Sequence, residues 1–60
     1  MKKHLIDIVY SPYNVELHFD SHATKQTIYT YAYKYALSNN LFVLTYRVNR
    51  GLQIVTLVNY

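Results

Sequence analysis

Residues 21–38 contain neither Gly nor Pro and run to about three times the length of an ordinary strand, which limits what this 60-residue chain can fold into more than any other feature. Inside that segment, "TIYTYAYKYALSNN" places Tyr29, Tyr31, Tyr33 and Tyr35 at every second position, the spacing of one face of a strand. Length favours a helix instead. On a helix the tyrosines become two i,i+4 pairs, Tyr29/Tyr33 and Tyr31/Tyr35, about 200° apart. The shorter arc between them holds Ile28, Ala32 and Ala36, and the longer arc holds Thr27, Thr30 and Lys34. Two alanines would let the helix sit close on a sheet while the tyrosines flank the apolar seam with their hydroxyls in water. Ser21 is the expected N-cap, and Asn39 and Asn40 tolerate the left-handed conformation that ends helices.

The flanking segments read as strands. "HLIDIVY" is β-branched and aromatic, Ser11 to Asn14 supplies turn chemistry, and "VELHFD" alternates Val15, Leu17 and Phe19 with Glu16, His18 and Asp20. If that hairpin pairs Tyr10 with Val15, Asp7 falls opposite His18, where a cross-strand charge pair is expected. Beyond the helix, "LFVLTYRV" and "LQIVTLV" form a second hairpin, turning at "NRG" where Gly51 supplies a positive φ. The predicted fold is therefore α+β: a single small domain over residues 1–60, order ββαββ, with an antiparallel sheet and one helix packed on one face. A chain this short buries only about 60% of its unfolded surface, and it has no cysteine to add a disulfide or thiolate metal site. Its hydrophobic fraction of 52% argues against disorder.

One helix covers one face of such a sheet. The other face of the first hairpin would carry Asp7, Glu16, His18 and Asp20, which suits water. In the second hairpin both alternating sets are aliphatic, so several apolar side chains face away from the helix whichever set it covers. Leaving them exposed is costly unless something covers them, since burying a Leu or Val is worth roughly 1.5–3 kcal/mol. The expected partner-binding residues are Leu41, Val43, Val55 and Leu57 on the solvent side of that hairpin, with Tyr31 and Tyr35 from a tyrosine flank. The partner is a host protein or a second copy of the chain.

Signs of chemistry are few. His18, Asp20 and His22 alternate and are zinc-ligand types, but the strand-to-helix junction falls between them, so no metal site is assigned. There is no cysteine nucleophile, no recognisable Ser–His arrangement and no glycine-rich phosphate loop. The expectation is a protein that is not an enzyme and carries no cofactor. The net charge of +3 comes from scattered residues: Lys2, Lys3, Lys25, Lys34, Arg47 and Arg50 against three acids. A DNA- or RNA-binding regulator is therefore the alternative, with the helix and the hairpin tip as recognition elements and Lys34, Arg47 and Arg50 as its residues. A homodimeric structural protein is a third reading. No stretch reads as a signal peptide or a membrane span, so the expected location is the host cytoplasm, with no membrane partner. Residues with A/T-rich codons outnumber those with G/C-rich codons by 24 to 7, which points to an A/T-rich genome of the kind common in phages and mobile elements.

The segment "YKYALSNNLFVLTYRVNRGLQIVTLV" resembles the Dmd-type antitoxins of T4-like phages in its Tyr-Ala-containing helix leading into a C-terminal hairpin. The similar positions are Tyr35, Ala36, Asn39, Val43 and Val55, all in the C-terminal half. The resemblance implies a small phage protein that binds a host toxin ribonuclease and blocks it; it carries no functional residue across to this chain. It matches the leading expectation of an inhibitor that occupies the surface of a host protein, in an anti-defence role.

Overall fold

In the computed structural model, which describes residues 4–59, five elements follow one another: β1 (Leu5–Tyr10), β2 (Asn14–Phe19), α1 (Lys25–Asn39), β3 (Leu41–Asn49) and β4 (Leu52–Asn59). Lys2 and Lys3 lie outside the described residues. The strands form one antiparallel sheet in the order β1-β2-β4-β3, so β4 joins the two hairpins by pairing with β2 on one side and β3 on the other. This is the ββαββ, α+β arrangement that the pattern predicts.

Helix α1 lies against β3 and β4 and buries the stripe Ile28, Ala32 and Ala36. The two alanines let the helix backbone approach Leu17, Phe19, Val55, Leu57 and Leu41, which together with Ala23 and Ile28 complete the core. Leu17, Ile28, Val55 and Leu57 are fully buried, each worth roughly 1.5–3 kcal/mol.

The helix begins later than expected. Thr24, not Ser21, is the N-cap, its hydroxyl accepting the Thr27 N–H at 3.2 Å. The reason is Asp20, whose Oδ1 accepts the N–H groups of His22 at 2.9 Å and Ala23 at 3.1 Å and so folds residues 20–23 into a turn of their own. The buried Gln53 side chain fastens that turn to the sheet. Its Nε2 donates to the Asp20 carbonyl at 3.0 Å and the Ala23 carbonyl at 2.8 Å, while its Oε1 accepts from the Tyr46 hydroxyl at 2.6 Å. At the other end Asn40 adopts the left-handed conformation (φ 56°) and its N–H reaches the Ala36 carbonyl, as the Asn-Asn pair predicts.

Tyr10 does pair with Val15, and Asp7 stands opposite His18. The expected charge pair between them does not form: the Asp7 carboxylate accepts the N–H of Ile8 at 2.8 Å, and His18 turns to Glu16 on its own strand. Register slips occur between Leu5 and Asp7 on β1 and between Val43 and Thr45 on β3. The β3–β4 turn places two consecutive residues at positive φ, Arg50 at 53° and Gly51 at 81°, the mirror-image turn that suits the strand twist.

Candidate functional site

The four aliphatic residues expected on the solvent side of the second hairpin lie beneath the helix instead. Leu41, Val55 and Leu57 are buried core, and Val43 packs against them. The cause is the pairing of β4 with β2. Leu17 stands beside Val55 and Val15 beside Leu57, and cross-strand neighbours share a face, so the inward set of β2 dictates the inward set of β4. These residues are therefore not surface contacts.

The face away from the helix carries Asn14, Glu16 and His18 from β2, Ile54, Thr56 and Val58 from β4, and Phe42, Thr45 and Arg47 from β3, as the register requires. Ile54 is only 3% exposed and Thr56 8%, although among the described residues no helix or strand is stacked on this face. Polar side chains link up across it. Glu16 bonds the His18 ring nitrogen at 3.1 Å through Oε1 and accepts from Arg47 Nη2 at 3.4 Å through Oε2. Because Glu16 and Arg47 belong to strands on either side of β4, their link passes over it.

On the helix side, the tyrosines divide between the two flanks. Tyr31 meets Phe19 edge-on at 5.9 Å and stacks on Tyr35 at 6.3 Å. The Tyr35 hydroxyl hydrogen-bonds that of Tyr10 at 3.1 Å, and this bond, with burial and the neighbouring phenols, pushes Tyr35 up to about 12. Tyr31 and Tyr35 are thus half-buried seals over β1 and β2. On the opposite flank Tyr29 contacts Tyr33 at 6.1 Å and Tyr46 at 6.0 Å, and Lys25 Nζ sits 5.3 Å from the Tyr46 ring centre. This stripe continues to Leu37, which is 85% exposed. Beside it β3, an outer strand of the sheet, exposes Phe42, Leu44 and Val48.

The residues named for nucleic-acid contact are not gathered into one patch. Lys34 lines an open groove of about 350 Å³ along α1 with Gln26, Thr27, Thr30 and Tyr31. Arg50 lies in the β3–β4 turn, whereas Arg47 stands on β3 opposite Ile54 with its guanidinium on Glu16. The helix cation that does approach β3 is Lys25, which charge counting alone did not single out. All three acids sit within residues 1–20, whereas residues 21–60 carry Lys25, Lys34, Arg47 and Arg50 and no acid. Asp20 is held by His4 at 3.2 Å. Partial desolvation raises its carboxyl, but the bonds from His4 and from the His22 and Ala23 amides outweigh that and hold it below the ordinary carboxylate value.

Among the described residues no group of three or more His, Cys, Asp or Glu side chains is placed to hold a metal ion, and no helix is long and apolar enough to cross a membrane. Comparison with protein-family models, with curated proteins and with solved structures finds no match to this chain.

Proposed function

We propose that this chain works by binding another protein, in the form its sequence suggests: a small phage or mobile-element product that inhibits a host protein by covering part of its surface. The observation that supports this is the α1–β3 side of the molecule, where Tyr33 and Leu37 on the helix and Leu44 and Val48 on the outer strand are exposed, with Phe42 exposed on the open face of the same strand. Exposed apolar side chains gathered in one region mark interaction sites, and tyrosine is enriched there. This flank replaces the set Leu41, Val43, Val55 and Leu57 as the contact region. The nucleic-acid reading draws on the same basic half of the chain, but Arg47 is already engaged by Glu16.

A tagged pull-down from host lysate, run with and without nuclease, tests the reading. The expected result is a near-stoichiometric protein that survives nuclease and is lost with Leu37→Asp, a change at an exposed position that leaves the circular dichroism spectrum intact. Recovery that disappears with nuclease overturns it in favour of nucleic acid.

A further inference from the structure

The two outer strands of the sheet are finished differently. β1 is six residues long, and its register slip coincides with Asp7, whose carboxylate occupies the Ile8 N–H. A short strand, a bulge and a charge are the devices by which proteins keep an edge from pairing with another chain. β3 is nine residues long, the longest strand of the sheet, and contains no Pro, Lys, Asp or Glu; its own register slip, between Val43 and Thr45, leaves Thr45–Asn49 as a regular edge. Its one charged residue, Arg47, reaches inward over β4 to Glu16 rather than standing guard along the edge. Among the described residues no strand pairs with the outer side of β3. Exposed Leu44 and Val48 lie along it.

Two cations besides Arg47 border this edge: Lys25 lies over the Tyr46 ring on the helix side and Arg50 is at the adjoining turn, while Arg47, on the open face with half its side chain exposed, is paired with Glu16. No acid occurs anywhere in α1, β3 or β4. A second copy of the chain pairing edge to edge would bring two such basic edges together, which electrostatics opposes. An acidic strand would be drawn in.

We propose that the outer edge of β3 is a docking site for an acidic, extended segment of a partner protein, which joins the sheet as a fifth strand. Main-chain hydrogen bonds to β3 supply the affinity, apolar side chains of the segment cover Leu44 and Val48, and its carboxylates meet Lys25 and Arg50. The proposal deepens the binding-protein reading above and rests on it for its biological sense, but it is tested separately.

The test uses the full chain, labelled for amide NMR, and a terminally blocked heptapeptide alternating valine and glutamate. The expected result is amide shifts and slowed hydrogen exchange confined to β3, its turn and Lys25, with affinity that falls as salt is raised. The same peptide with lysine for glutamate should bind about tenfold more weakly, the sum of a few exposed charge contacts. A peptide N-methylated at alternate residues should lose binding, because it cannot form the ladder. Arg50→Asp, a change at a turn position that Asp tolerates, should weaken the glutamate peptide and strengthen the lysine one. Several outcomes overturn the proposal: no binding, equal binding of the two peptides, indifference to N-methylation, or shifts that map to the Glu16–Arg47 face. So do β3 amides that become protected with rising protein concentration alone, which would make a second copy the occupant, or a stronger response to a single-stranded oligonucleotide. If lysate capture succeeds but the contact maps away from β3, only the edge assignment fails. If the peptide binds as described but no host protein is captured, only the inhibitor reading fails.

Discussion

β4 buries side chains on both of its faces, and the two faces achieve this by different means. Under the helix, Val55 and Leu57 are enclosed by a second layer of Ile28, Ala32 and Ala36. On the opposite face Ile54 and Thr56 are almost as inaccessible, yet their cover is a chain of side chains, His18, Glu16 and Arg47, carried by the strands on either side. A narrow sheet can therefore bury an inner strand on a face without a helix when polar side chains of the neighbouring strands link up across it. What differs is how each face responds when an atom is removed. The helix side is held in place by backbone and rigid small residues, whereas the polar cover can settle into a gap.

That difference is open to measurement. Leu57→Ala should cost about 2–4 kcal/mol, read from urea unfolding, because the helix cannot collapse onto the cavity. Ile54→Ala should cost less, about 2 kcal/mol at the low end for such truncations, because His18 and Arg47 can close over it; equal costs would mean the two covers are equally rigid. Of comparable size is Gln53→Leu, which roughly keeps the volume but takes the Gln53 side-chain donor from the Asp20 and Ala23 carbonyls. Its expected cost is about 2 kcal/mol, with faster amide exchange where the Asp20 turn joins α1. The Tyr10–Tyr35 bond should make the helix side sensitive to alkali. Since Tyr35 ionises at about 12 rather than 10.0, its contribution is intact below pH 10 and lost as pH rises from there through 12. Tyr10→Phe should bring the Tyr35 ionisation, followed by tyrosinate absorbance, back toward 10. The smallest effect belongs to the open face: a double-mutant cycle between Glu16→Gln and Arg47→Met should give a coupling below about 1 kcal/mol, diminishing with salt.

Most of the fold could be read from local signals. The alternation of Val15, Leu17 and Phe19, the i,i+4 tyrosine pairs around Ile28, Ala32 and Ala36, the Asn-Asn helix end and the Tyr10–Val15 pairing are each written within a few residues. What escaped depends on residues far apart in the chain. Both faces of the second hairpin are aliphatic, so its own pattern could not choose between them; the choice is made by β2, which stands beside β4 only once the chain has folded. The contact region followed the same error, because it was placed on Leu41, Val43, Val55 and Leu57. The Asp20 turn displaced the helix cap to Thr24, and its anchor is Gln53, more than thirty positions later. Gln53 breaks the apolar alternation of β4, and that break was the one visible trace of the anchor. Arg50 is a different case, a residue held at positive φ where Asn or Gly is the usual choice, and only the backbone reveals it.

The strand order has a consequence for how the protein comes together in time. β4 is the last of the five elements in the chain and an inner strand of the sheet, so β2 and β3, which do not pair with each other, are joined only when residues 52–59 arrive between them. Two of the three ladders are local hairpins, but loop closure across the helix must precede the β2–β4 ladder, Leu17 with Val55 included, and this distant pairing is the step expected to be slow. Until that strand inserts, the inner edges of both β2 and β3 stand open to other chains.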